Sequence, residues 1–345
     1  MNERGRTIAL IAVAAMAGAA GVFVGWRVAP PAGRSSSTEA PRPIIQIARP
    51  APGLPSFADA IVTVCPSIAA IVGPGDPPPP NDSGAAAPAP AFAVTADGWL
   101  MTSGAAVANA NAGILFSSGA EVAIGEIRLD PVSGLAIVKS SASGLTPAGW
   151  DDQSAPHVGD FALSVSSPSG AGCNAEAAMV SSDFVSEGHA PQAYLGLDLL
   201  GPDLPPGSAV LSGDGRAIGV TSAAVPVNAI IPATLVSSIL DELLRNSLSP
   251  TTAFGFRSVD FSSDIAARLG NPRARGAGIA MVQPKSPAAR AGLRAGDVVI
   301  AVDDSPVASA SELGRALDGA GKSASLVVAR GDDRLTVAIR RISGQ

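Results

Sequence analysis

Two histidines and two cysteines are all that this 345-residue chain offers to metal or imidazole chemistry. A structural zinc site takes four such ligands at once, so no metal site is expected, and no cofactor either. A histidine base for catalysis would have to be His157 or His189, and both fall in polar connections that read as surface loops. Aromatic residues make up only 4% of the chain, no run of Lys or Arg occurs, and the net charge is −6. That balance excludes a nucleic-acid partner. The adjacent carboxylates Asp151-Asp152 and Asp303-Asp304 sit in turns and read as solvated pairs rather than an acid and a base.

What the chain has is Ala, Gly and Pro in quantity and, at its start, one long apolar run. Arg4 and Arg6 precede residues 8–24, which carry no charge and are closed by Trp26 and Arg27. The run approaches the roughly 20 residues that cross a bilayer and has no polar face. Residues 1–27 therefore read as a transmembrane anchor; small residues before Trp26 leave a cleaved signal as the alternative. Basic residues at the start hold the N-terminus in the cytoplasm and send the rest across. Residues 28–55 are rich in Pro and Ser and read as a linker.

Folding is expected from residue 56 onward. Residues 57–64 pattern as a short helix and 65–72 as a first strand, and residues 73–90 read as a Pro/Ala loop. Short apolar runs between Gly- and Pro-rich turns follow as far as residue 231. That spacing, almost without helix, points to a mainly β fold of barrels or sandwiches. Residues 232–245 then place Val236, Ile239, Leu240, Leu243 and Leu244 on one helical stripe. A domain over 56–249 and a second over 252–345 result.

The stretch over 203–219 organises the first of these domains. Ala209-Val210-Leu211, the turn Gly213-Asp214-Gly215 and Ala217-Ile218-Gly219-Val220 read as a hairpin. Pro205 and Pro206 stiffen the turn that feeds it. Enzymes often place a nucleophile on such a turn, and a proline cannot serve as one.

In order along the chain stand Asp97-Gly98-Trp99-Leu100-Met101-Thr102, Asp130-Pro131-Val132-Ser133-Gly134-Leu135-Ala136-Ile137-Val138-Lys139, Val158-Gly159-Asp160, Ser167-Pro168-Ser169-Gly170, and Gly215 to Val220. This series resembles the HtrA/Deg family of trypsin-like serine proteases, double β-barrels followed by PDZ domains. The resemblance implies a bacterial inner-membrane protein with its soluble domains in the periplasm. Carried over residue by residue, it puts Ala105 where the family has its histidine, Gly134 where it has its aspartate and Pro206 where it has its serine. A register slip of two would instead make Ser208 the nucleophile.

Acyl transfer by a serine needs a base for its proton and a third group to orient that base. Alanine and glycine supply neither. The oxyanion hole needs backbone N–H donors at and before the nucleophile; Pro206 removes one, and Leu204 replaces the glycine that points the other. A lysine could replace the histidine only if buried, whereas Lys139 ends a strand and Lys285 and Lys322 lie in loops. The expectation is a degenerate protease domain.

Cys65 and Cys173 are in an exported chain by this reading. Because family members pack the N-terminal segment on the second barrel, the two either bond or remain a pair of buried thiols.

The C-terminal string Ser286-Pro287-Ala288-Ala289-Arg290-Ala291-Gly292-Leu293, followed by Gly296-Asp297, resembles the PDZ domains of the same family. The resemblance implies that the amides of Phe254, Gly255 and Phe256 receive a peptide carboxylate. The peptide would lie beside Phe256-Arg257-Ser258, with Leu313 and Leu317 lining its side-chain pocket. Core filling by these residues is the plainer alternative. The function expected is a membrane-anchored pseudoprotease that binds polypeptide C-termini, in envelope quality control or in regulating an active relative with which it co-assembles. A homo-oligomer, an active endopeptidase with a displaced site and a non-binding scaffold stay open beside it.

Overall fold

The computed structural model describes residues 57–73, 88–108, 112–151, 156–167, 172–182, 185–187, 190–192, 194–260 and 275–342. The expected anchor over 1–27, the linker over 28–55, His189 and most of the 73–90 loop lie outside the described residues. Among the described residues no helix is long and apolar enough to cross a membrane.

Helix α1 (Ala58–Val64) opens the fold and turns its buried Ala60 and Val64 inward. The strand expected from residue 65 starts later. Pro66 has no N–H for a ladder, so Cys65–Ser67 is a single 3-10 turn and β1 covers Ile68–Val72. Six strands then close a barrel: β1, β2 (Ala89–Ala93), β3 (Trp99–Ser103), β6 (Leu135–Ser140), β5 (Glu121–Leu129) and β4 (Gly113–Phe116), in that spatial order. The sequence reading ended the preceding loop at residue 90, but the apolar Ala89-Pro90-Ala91 belongs to β2 and pairs with β1.

A second closed barrel runs β11 (Leu195–Leu199), β14 (Ala229–Pro232), β13 (Ala217–Val220), β12 (Ala209–Leu211), β7 (Phe161–Ser166) and β8 (Asn174–Ser182). β9 (Val185–Glu187) and β10 (Ala190–Gln192) form a separate hairpin. The hairpin expected over 209–220 is β12–β13, with Ala209 opposite Val220. Helix α2 (Ala233–Leu244) buries Leu235, Val236, Ile239, Leu240 and Leu243. They enter one apolar core with side chains from both barrels, among them Phe92, Met101, Leu163 and Leu211.

A 3-10 turn (Pro250–Phe254) leads into a sheet of β15 (Phe256–Asp260), β16 (Ala277–Val282), β17 (Val298–Val302), β19 (Ser323–Arg330) and β20 (Asp333–Arg340), with β18 (Ser305–Pro306) pairing β17. Helices α3 (Pro287–Arg290) and α4 (Ala310–Gly319) cover it. Ser286 caps α3 by accepting from Ala289 N at 3.1 Å. At α4 the cap is shifted by one residue: Ser309 Oγ accepts from Glu312 N, and Glu312 accepts from Ala308 N rather than from Ser309. The sheet has its own core, centred on Phe254, Phe256, Leu313, Leu317 and Leu326. Ala280 and Met281 instead join the barrel core, so barrels and sheet form one compact unit.

Candidate functional site

Four loops meet where the two barrels join. Ser103 ends β3 and its hydroxyl accepts from Ala105 N at 3.4 Å, starting the 3-10 turn Gly104–Val107. Gly104 N donates to Gly134 O at 2.8 Å, which ties that turn to the β5–β6 loop. Gly134 has φ +69°, and a Cβ there would sit 3.1 Å from Ser222 Oγ. Ser222 Oγ in turn donates to Ser133 O. From the second barrel, the turn before β12 presses on the first. Gly207 has φ +98°, and a Cβ on it would meet Ser103 N at 2.8 Å and Pro90 O at 2.9 Å. Only glycine allows that approach.

Ala105, Gly134 and Pro206 are thus carried by loops of a single junction, with Ala105 and Pro206 exposed and Gly134 half-buried. Ser208 faces the other way. It is 1% exposed, its hydroxyl donates to Pro205 O at 2.7 Å, and its amide donates to Thr221 Oγ1 at 2.9 Å. Among the described residues no histidine, carboxylate or lysine hydrogen-bonds to it. Leu204 packs against the core of the second barrel. His157 is an exposed loop residue 3.8 Å from Asp160, and Lys139 pairs with Asp97 at 2.7 Å.

The carboxylate in this region belongs to a different arrangement. Asp130 is fully buried and accepts from Ser133 N at 2.9 Å, fixing the loop that holds Gly134. It also accepts from Arg257 Nε at 2.8 Å, while the Arg257 fork meets both oxygens of Glu242 at 3.2 and 3.0 Å. Burial pulls the pKa of this guanidinium down, but Asp130 and Glu242 outweigh burial and hold it above the ordinary arginine value. Its charge therefore persists at every working pH. No sequence signal announces the triad, because Arg257 is 127 residues from Asp130 and 15 from Glu242.

The residues expected to receive a peptide lie close together in the structure, with little room between them. Gly255 is left-handed at φ +88°, and Ser286 packs so close that a Cβ there would stand 2.3 Å from Ser286 Cβ. Gly255 N donates to Thr252 O at 3.0 Å, so that amide is already used. Phe254, Phe256, Leu313 and Leu317 each have 0% exposure. Arg257 turns its side chain into the ion triad, leaving only its backbone on the β15 edge. Helix α4 is held to the strands at both ends. Ala310 N donates to Asp260 Oδ1 at 2.7 Å, and Arg341 reaches Leu317 O at 3.4 Å and Asp318 at 3.6 Å. Cys65 and Cys173 form a disulfide, with Cα atoms 5.9 Å apart.

Comparison with known proteins fits these parts. Residues 89–220 match the model of the trypsin-like peptidase domain, and residues 278–330 match that of the PDZ domain. The chain therefore combines a trypsin-like peptidase domain with a PDZ domain. It is similar to the "Probable periplasmic serine endoprotease DegP-like" of Brucella suis, at 27% identity over 252 residues, covering 69% of this chain and 49% of that protein. The protein of the same name in Rhizobium meliloti is 27% identical over 234 residues, covering 65% and 46%. The chain spans about half the length of these curated relatives. Among solved structures, a variant of the HtrA-type protease AlgW with a tripeptide superposes with a TM-score of 0.50 at 20% identity, over 83% of this chain and 96% of that one, a likeness of fold.

Proposed function

We propose that this protein is a pseudopeptidase of the HtrA type, held at the inner membrane and facing the periplasm, whose PDZ domain captures polypeptide C-termini. It takes part in envelope protein quality control or adjusts an active relative with which it assembles. The observation that carries the reading is the state of Ser208: buried, its hydroxyl donating to a main-chain carbonyl, and hydrogen-bonded to no base among the described residues. A serine in that position has no group to remove its proton. Pro206 has no N–H for a developing oxyanion, and loss of one such donor alone costs roughly 10²–10³ in rate.

The test is acylation. A fluorophosphonate probe is expected to leave the purified chain unlabelled, and fluorogenic peptides are expected to remain uncut. Labelling that disappears in Ser208→Ala would establish the competing reading of a displaced active site.

Peptide capture requires α4 to part from β15, since the pocket-lining Leu313 and Leu317 are sealed. Asp260→Ala removes the bond at one end of the helix. An exposed charge-assisted bond of this kind is worth about 1 kcal/mol, so titration with a free C-terminal peptide should show affinity rising by roughly fivefold. The same sealed leucines favour a second reading, a PDZ domain that stays shut and serves as a spacer. Under that reading neither the wild type nor Asp260→Ala binds at millimolar peptide.

A further inference from the structure

A cavity of about 600 Å³ opens on the PDZ domain away from the β15–α4 edge, between the β16–α3 connection and the end of β20. Lys285, Arg290, Arg340 and Arg341 line it, and no Asp or Glu does. In a chain with 23 basic and 29 acidic residues, four cations around one hollow are a local reversal of sign. Among the described residues Lys285, Arg290 and Arg340 make no ion pair; Arg290 only donates to Lys285 O at 2.9 Å. Two further lining groups are buried with unfilled hydrogen-bonding capacity: Arg341 Nε and Gln283 Oε1. The donors open to a ligand here are the exposed side chains of Lys285, Arg290 and Arg340, and cations without an ion-pair partner around one hollow point to an anionic acceptor.

We propose that this cavity is a docking site for acidic polypeptide segments, in which Asp or Glu side chains meet the forks of Arg290 and Arg340, with the ammonium of Lys285 beside them. Guanidinium matches carboxylate in a planar, two-bond geometry that an ammonium lacks, and three of the four cations are arginines. The surroundings favour a peptide over a membrane. The chain's net charge of −6 opposes adsorption to an anionic bilayer, whereas a local basic recess suits a short acidic segment. The recess also adjoins the Phe254–Phe256 loop. Gln283 N and Ser286 Oγ both donate to Gly255 O, at 2.9 and 3.3 Å, and Arg341 packs 5.5 Å from the Phe254 ring. A chain lying in the recess passes beside the loop that would hold a C-terminus. The inference takes its ligand class from the peptide-binding reading above, but it does not need the β15–α4 edge to open.

Two peptides separate the two sites. An amidated, fluorophore-labelled peptide carrying four aspartates has no terminal carboxylate for the loop. Its asparagine counterpart controls for everything but charge. With the full chain, fluorescence anisotropy at physiological salt should show the aspartate peptide binding and the asparagine peptide not. Both Arg290 and Arg340 are exposed, so Arg290→Glu with Arg340→Glu should fold, which circular dichroism checks. This pair should weaken the aspartate peptide by roughly a hundredfold, about tenfold per arginine. The milder Arg340→Gln should weaken it by a smaller factor. An unlabelled neutral peptide with a free C-terminus should not compete; its own failure to bind would count against capture of C-termini and leave the acidic site standing. Absence of aspartate-peptide binding, or binding indifferent to the double substitution, overturns the proposal. So would phosphatidylglycerol vesicles or inorganic phosphate displacing the peptide at concentrations below the peptide's own.

Discussion

Replacing Arg257 by methionine is expected to cost about 3–5 kcal/mol, the penalty for breaking a buried ion cluster on one side only. The size follows from what is left behind. Asp130 is fully buried, and once the guanidinium is gone its charge rests on the amides of Ser133 and, weakly, Val132. Glu242 suffers less, being partly exposed and retaining Ser249 N at 2.8 Å. For a unit of this size each kcal/mol moves the melting point by roughly 2–4 °C, so calorimetry should show a fall of about 10 °C. The shape of the transition should change too. Arg257 lies on the first PDZ strand, Asp130 on the first barrel and Glu242 on α2. Losing it should split a single transition into an earlier PDZ component and a later barrel component. Replacing all three by Met, Asn and Gln should recover part of the loss, because no unpaired charge then remains although the buried amide at position 130 lacks an acceptor. A Tm within about 2 °C of wild type for Arg257→Met would show that the cluster contributes little net stability.

That cluster also marks the limit of what the residues alone disclose. The barrels were legible because their strands are short apolar runs between strong turn formers: 209–211 and 217–220 are strands with the expected bounds. Boundaries failed where backbone chemistry opposed pattern, as at Pro66, or where a strand was mostly exposed. β8 begins at Asn174, three residues before its apolar Ala177-Ala178-Met179-Val180, because pairing with β7 carries it through exposed Ala175 and half-buried Glu176. Asp130 read as one letter in a family-like string, and nothing local says that its carboxylate faces an arginine from another domain. The basic cavity escaped for the same reason. Lys285 and Arg290 stand 50 residues or more from Arg340 and Arg341 in sequence, and only the packing of α3 against β20 gathers them. Leu313 and Leu317 were given by the resemblance as pocket-lining residues, but two leucines four apart on a helix read the same whether they line a pocket or fill a core.

The disulfide sets the second large effect. Cys65 and Cys173 are separated by 108 positions, and in the chain-entropy account closing a loop of that order is worth about 4.7 kcal/mol, within a usual span of 2–5. Cys65→Ser with Cys173→Ser should therefore lower the melting point by roughly 5–15 °C. The barrels should still fold. The segment from Phe57 is held by other means: Ala60 and Val64 are buried, Phe57 and Ile61 pack on the shared core, Ser67 Oγ donates to Thr146 O, and Ser117 Oγ donates to Cys65 O at 2.8 Å. Dithiothreitol on the wild type should reproduce the shift, and should do nothing to the double serine variant. An unchanged melting point in the serine variant would mean that packing of α1 alone constrains the chain. The disulfide and the Arg257 cluster share no residue and no hydrogen-bond partner, so their losses should add to within about 0.5 kcal/mol. A combined variant that loses markedly less would show that the N-terminal segment and the PDZ strand act on the barrels through one cooperative unit rather than two independent clamps.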